Sequence, residues 1–222
     1  MTRAPAIAVV DYGMGNRRSV EKALQRVGAR ARITRDPGDL AAADALVVPG
    51  VGAFPEGMRR LRALGLDEQI HAAAAAGTPV LGICLGMQLL FDRSAEHELT
   101  PGLGLLAGEV TPLAAGGLRV PHIGWNEVAF ERPSPLTEGL PAGGCPFYHV
   151  HSLAARPHRH EDVVATTTYG ERFATIVARD NVFGVQFHPE KSSADGLRLL
   201  GSFARLVVAA GTPAATAGSA RA

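Results

Sequence analysis

The chain has 222 residues, 46% of them apolar, which is enough to bury a substantial core and suits one α/β domain or at most two small ones. Its 22 basic and 21 acidic residues leave a net charge of +1, and no basic run could neutralise a phosphate backbone or dock on an anionic membrane, so neither nucleic acid nor a membrane is an expected partner. The stretch MTRAPAIAVVDYG enters a strand pattern without a signal-peptide core, and Cys84 and Cys145 are expected to stay reduced in a cytoplasmic protein.

The first half alternates strand and helix. AIAVVDYG reads as a buried strand, NRRSVEKALQRVG as an amphipathic helix with Asn16 at its start and Gly28 as its stop, and ARARITR as a second strand. ADALVVPGVG is a strand running into a Gly-Pro loop, MRRLRALG and LDEQIHAAAAAG are helical, and TPVLGI is a strand that stops at Cys84. Strands separated by helices imply a parallel sheet with right-handed crossovers. From Leu103 onward the texture changes to short strands: LLAGEVTPL, RVPHIGWNEVAF, PFYHVHSL, DVVATTTYG, FATIVARD and VFGVQFH. That is the pattern of an antiparallel meander added to the sheet. SADGLRLLGSFARLVVAA predicts a closing helix with Gly196 and Gly201 as weak points, and residues 209–222 lack periodicity and are expected to form a disordered tail. The expected architecture over residues 1–208 is therefore α/β: a mostly parallel central sheet flanked by helices, with an antiparallel strand extension.

Chemistry enters at PVLGICLGMQ, where a cysteine stands between two glycines at a strand-to-helix boundary. A sharp turn that holds a nucleophile in a strained backbone conformation needs small residues two before and two after it, and Gly82 and Gly86 sit at those offsets from Cys84. Amide groups at the start of the following helix would favour a thiolate and could stabilise an oxyanion. The competing interpretation is a buried packing cysteine.

A cysteine nucleophile needs a base, and eight histidines are available. His71, His97, His158 and His160 read as surface residues, and His122, in VPHIGWN, as structural or interfacial. His149 and His151 alternate onto one face of a strand like a metal pair, but no Cys or carboxylate stands at ligand spacing to complete a site. His188 ends an apolar strand in GVQFHPE, with Glu190 two residues on, so that both side chains share one side if the extended geometry persists. A carboxylate beside an imidazole fixes its tautomer and stabilises the imidazolium, which is what a base serving a thiol requires.

Taken together, GICLGMQ and GVQFHPE are far more specific than either alone, and with them the sequence resembles the class I glutamine amidotransferases. Within that class DYGMGN, PGVGAF, LGICLGMQLLF, VPHIGWN and GVQFHPEKSS resemble the glutaminase subunits of imidazole glycerol phosphate synthase, from Val10 to about Phe203. The resemblance implies a triad in which Cys84 attacks the glutamine carboxamide, His188 moves the proton to departing ammonia and Glu190 orients His188. It implies an oxyanion hole from the N–H of Leu85 and of Val51 or Gly52, and glutamine-binding roles for Gln88, Glu96 and the backbone around Ser152. The peptide joining Gly50 to Val51, between two glycines, would be free to rotate and so switch that hole. Neither a cofactor nor a metal is implied. A cyclase subunit that consumes the ammonia is implied as heterodimer partner, with Trp125 and Asn126 in the interface segment and Lys191 facing it. Two positions depart from the family pattern: Leu153 where an aromatic usually follows the Ser, and His149 in place of a Phe. A glutaminase of anthranilate or aminodeoxychorismate synthesis is the alternative, against which the GMQ after Cys84 and the PHIGWN segment argue; a binding module that has lost its chemistry is another, against which the complete Cys, His and Glu set argues.

Overall fold

In the computed structural model, which describes residues 3–210, the apolar runs of the first half form the parallel end of a sheet of thirteen strands. The first strand, β1 (Ala6–Val10), pairs in parallel with β2 (Arg30–Thr34) and β3 (Ala45–Gly50), and β3 pairs in parallel with β4 (Val80–Cys84). The connecting helices are α1 (Arg17–Arg26), α2 (Pro37–Ala41), α3 (Phe54–Ala63) and α4 (Leu66–Ala75), and a short α5 (Leu85–Leu89) leaves β4 directly. Then come β5 (Phe91–Ser94), β6 (Thr100–Pro101), β7 (Leu106–Pro112), β8 (His122–Phe130), β9 (Cys145–His151), β10 (Leu153–Pro157), β11 (Val163–Tyr169), β12 (Glu171–Arg179) and β13 (Val182–Val185), before the closing helix α6 (Ser193–Ala210). The spatial order is β2-β1-β3-β4-β13-β12-β10-β7-β5-β6, while β11 pairs with β12 and carries β8 and β9 outward as a flap.

Buried strands alternate their side chains between two cores. Ile7 and Val9 join α1 and α6 residues such as Leu24, Leu200 and Phe203 on one face. Ala8 and Val10 join Leu40, Phe54, Met58, Leu66 and Met87 from α2 to α5 on the other. Because β1, β3, β4 and β13 run in one direction, their carboxyl ends open on one edge of the sheet, the usual place for a ligand crevice in such folds.

The elements follow the sequence pattern with four informative differences. Asn16 occupies the cap position of α1 without a side-chain capping bond. The turn of helix α2 lacks an apolar period and is set instead by Asp36, which accepts the Asp39 N–H at 3.0 Å, and by Pro37 in the first turn. PFYHVHSL is two strands rather than one: β9 pairs with β8, the chain breaks at Ser152, and β10 crosses to pair with β7 and β12. Finally, VFGVQFH leaves the ladder after Val185, so Gln186, Phe187 and His188 lie beyond the strand end.

Helix α6 is continuous through both of its glycines and reaches Ala210, taking in the first two residues of the expected tail; the rest of that segment lies outside the described residues. A Cβ on Gly196 would lie 2.0 Å from the Pro189 carbonyl oxygen, so this glycine lets α6 press against the turn that carries Glu190. At Gly201 an added Cβ would meet its nearest neighbours, Arg205 and Val27, at ordinary distances of 3.5–3.9 Å. Gly201→Ala is thus expected to stabilise the protein by up to about 1 kcal/mol through helix propensity. Gly196→Ala is expected to cost about 1–3 kcal/mol through overpacking. Thermal unfolding of the two variants beside the parent measures both, and the opposite signs are the outcome to check.

Candidate active site

Cys84 is the last residue of β4 and adopts φ 55° and ψ −112°, a left-handed conformation that a non-glycine residue holds only when its surroundings enforce it. Both flanking glycines are required by close approach. A Cβ on Gly86 would stand 1.7 Å from the Val48 carbonyl oxygen, and one on Gly82 would stand 2.6 Å from the Gly86 backbone. The chain can therefore reverse from β4 into α5 only with hydrogen at both positions, and the turn lifts the thiol to the rim of the crevice. Cys84 remains 5% exposed, and its Sγ donates to the Val150 carbonyl at 3.6 Å.

The base candidate lies at the end of the neighbouring strand β13, whose Val185 is in register with Ile83. Past it the backbone does not stay extended: residues Pro189–Lys191 form one 3-10 turn. The expected pairing is made all the same, with His188 Nδ1 2.9 Å from Glu190 Oε1 and both side chains almost wholly buried. The Ser192 hydroxyl closes this turn by donating to the His188 carbonyl at 2.7 Å. Burial alone would lower the imidazole's pKa; interactions with Cys84 and Glu190 outweigh it and lift the value to about 9. At rest the thiol points at Val150 and His188 Nε2 has no hydrogen-bond partner, so the influence of Cys84 on His188 is electrostatic proximity rather than a formed bond.

In front of the thiol is a cleft of about 300 Å³. Its wall brings together Val51 and Gly52 from the loop after β3, Cys84, Leu85 and Gln88 from the elbow and α5, Glu96, and Ser152 at the break between β9 and β10. Every residue assigned from the sequence to the oxyanion hole or to glutamine binding lines it. Gln88 is buried and donates to Gln186 Oε1 at 3.0 Å. Glu96 commits one carboxylate oxygen to the Phe54 N–H at the start of α3, at 2.6 Å. The departure Leu153 lines the cleft, whereas His149 is fully buried outside it, bonded to the Phe147 carbonyl and the Thr175 hydroxyl.

Two contributors are not evident from the motifs. Gln186, fully buried, directs its amide toward Cys84 Sγ at 3.8 Å; its only sequence signal is its place two residues before His188. Tyr12, 1% exposed, donates to the Pro49 carbonyl at 2.7 Å, and burial together with nearby Cys84 raises its pKa. The same hydroxyl would lie 2.2 Å from a Cβ on Gly50. Gly50 is thus a point of close packing with Tyr12 and Leu85 that leaves no room for a side chain; of the two glycines, Gly52 has the left-handed backbone, at φ 110°.

The residues assigned to an interface are separate from the cleft wall. Trp125 is 53% exposed, Lys191 is exposed and Asn126 is half-buried. Trp125 packs edge-on against Tyr148 and stands on the same strand as Ile123, also exposed. Among the described residues no cluster of His, Cys, Asp or Glu could hold a metal ion, and no helix is long and apolar enough to cross a membrane.

The chain is 52% identical over 205 residues to "Imidazole glycerol phosphate synthase subunit HisH" of Moorella thermoacetica, covering 92% of this chain and 97% of that one. It is 50% identical to the protein of the same name from Symbiobacterium thermophilum, covering 90% and 94%. Among solved structures, PurLQS from Thermotoga maritima superposes with a TM-score of 0.74 at 22% identity, covering 92% of this chain and 99% of that one, a likeness of fold. The family model for "Glutamine amidotransferase class-I" matches residues 8–204. With nearly the whole fold and its cysteine elbow inside that match, the chain belongs to the class I glutamine amidotransferase family.

Proposed function

We propose that this chain is the glutaminase subunit of an imidazole glycerol phosphate synthase, hydrolysing glutamine and passing the ammonia to a cyclase subunit in histidine biosynthesis. The observation that carries the reading is the strained Cys84 elbow beside the buried His188–Glu190 pair, in a chain half identical to relatives bearing that name. In this reading Cys84 Sγ exchanges its contact with Val150 for attack on the glutamine carboxamide. The N–H groups of Leu85 and of Val51 or Gly52 stabilise the oxyanion, charge that appears only in the transition state. As Cys84 attacks, its thiol proton passes to His188, whose basicity Cys84 and Glu190 raise, and the resulting imidazolium delivers that proton to the departing nitrogen. Ammonia leaves, a γ-glutamyl thioester remains, and water attacks it, with His188 taking the proton, to give glutamate and the free thiol.

Gln88, Glu96 and the backbone at Ser152 hold the substrate's amino-acid end in this scheme, Glu96 using the oxygen not bonded to Phe54. The exposed apolar side chains of Ile123 and Trp125, with Asn126 and Lys191, are the proposed cyclase-facing surface. Two free cysteines suit a reducing compartment, and the cytoplasm is proposed on that ground.

Cys84→Ala is expected to abolish glutamate release and glutamine-dependent synthesis in the complex while leaving synthesis from added ammonium salt intact; losing both would make Cys84 structural. The same change removes a main cause of the raised His188 pKa, so an NMR titration should find it well below about 9. The proton would then leave His188 at lower pH, since burial, which favours the neutral ring, remains. Glu190→Gln keeps the shape but removes the carboxylate's charge. Turnover is expected to fall by about a hundredfold or more with folding preserved, and an unchanged rate would reduce the triad to a dyad.

A further inference from the structure

Three histidines that the proposed chemistry does not use are buried together at the cleft, His122 on β8 and His149 and His151 on β9, and of them His151 is part of the cleft wall. Their hydrogen bonds are not interchangeable. The Leu153 carbonyl can only accept, so His151 Nδ1, 2.7 Å away, carries a proton and donates. At the other end the Asn126 amide donates to the Thr168 carbonyl at 2.9 Å, so the group that also faces His122 Nε2, at 3.3 Å, is its NH2 and that nitrogen accepts. Between them His122 Nδ1 and His151 Nε2 stand 3.0 Å apart. Assigned from either end, the direction is the same: Asn126 donates to His122, His122 to His151, and His151 to Leu153. A further proton on either ring would set donor against donor, in keeping with the lowering of both pKa values, mainly by burial.

The run continues into the cleft. Gln88 also donates to the Leu153 carbonyl, at 3.4 Å, and to Gln186 Oε1, while the Gln186 amide faces Cys84 Sγ. Ser152, which lines the cleft, is the one residue between His151 and Leu153.

We propose that His122 is a positioning residue for glutamine binding: by donating through Nδ1 to His151 it holds the 151–153 segment and the Leu153 carbonyl where Gln88 and the substrate's amino-acid end need them. This rests on the glutaminase reading above. The relay starts at Asn126, beside exposed Trp125, and so links the outer face of β8 to the cleft by hydrogen bonds rather than by apolar packing.

His122 also stacks on Tyr169, with ring centroids 4.0 Å apart, and a merely structural role would rest on that contact. Two substitutions separate the roles because they predict opposite orders. His122→Phe keeps the ring and its stack but loses the donor, leaving His151 Nε2 unpaired. His122→Asn loses the stack but presents an amide N–H near the former Nδ1. In the assembled complex, His122→Phe is expected to raise KM for glutamine by about tenfold with kcat changed less than about threefold, and His122→Asn to restore KM to within about threefold of the parent. A parent-like His122→Phe with an impaired His122→Asn overturns the proposal in favour of packing.

Nitrogen NMR of the imidazoles provides a readout independent of turnover and of a variant that fails to fold. The parent is expected to show His122 and His151 neutral and protonated on Nδ1 at pH 7. Asn126→Asp, which puts an acceptor opposite His122 Nε2, is expected to raise the His122 pKa. Protonation on Nε2 of either histidine in the parent overturns the relay. A parent that releases no glutamate while these spectra hold would refute the glutaminase reading and the assigned role in binding, but leave the hydrogen-bond order standing.

Discussion

Much of the candidate site follows from one steric constraint, the passage of the β4–α5 turn over β3. The Val48 carbonyl lies where any side chain at residue 86 would be, and the Gly86 backbone lies where one at residue 82 would be. Those contacts leave Cys84 in a left-handed conformation whose strain the surrounding sheet has to offset. Its thiol is thereby set against the ends of the two neighbouring strands. Gly50 is in register with Cys84 on β3, and Val185 with Ile83 on β13. A loop leaving β3 can therefore bring the Val51 and Gly52 amides to the thiol, and a turn leaving β13 can bring His188 and Glu190. Three separate stretches of sequence become one site because three parallel strands end together.

The same economy of contact decides protonation. His188 and His151 are both buried, and burial alone lowers the pKa of each. They diverge through their partners. His188 has a carboxylate on Nδ1 and a thiol nearby, so its proton is retained up to a pKa of about 9. His151 has a carbonyl on one nitrogen and another imidazole on the other; burial dominates and its value falls to about 4. Between those values one ring is basic enough to take up and pass on a proton while the other stays neutral and serves as a fixed donor and acceptor.

How much of this was legible in the sequence depends on which forces act at each residue. The βα alternation and the two cores follow from apolar periodicity, and β1, β3 and β4 are buried as expected. The Cys84 elbow was legible because its steric requirement falls on residues two away, and the His188–Glu190 pairing because its partners are as close in the chain. That pairing survives by another route than the one expected, a 3-10 turn braced by Ser192 and by the close approach of Gly196, which no local pattern announces. Tyr12 illustrates the opposite limit. Its bond to Pro49 joins residues far apart in sequence, and its hydroxyl occupies the space a side chain at residue 50 would need.

The strand break at Ser152 was equally hidden. PFYHVHSL has an unbroken strand composition, and the break appears only because β9 is claimed by β8 while β10 is claimed by β7 and β12. The two pairings pull the chain in different directions, and Ser152 is the residue left between them. The break leaves Ser152 in the cleft wall outside both strands, although its carbonyl still accepts the Leu113 N–H at 3.0 Å. That break is also why the segment needs outside support. His151 supplies it by bonding to the Leu153 carbonyl across the break, and His122 fixes His151 in turn. A wall built from interrupted strands can adapt to a substrate only if something holds its resting shape, and neutral imidazoles, each giving one proton and accepting another, can do so without bringing a charge beside the thiol.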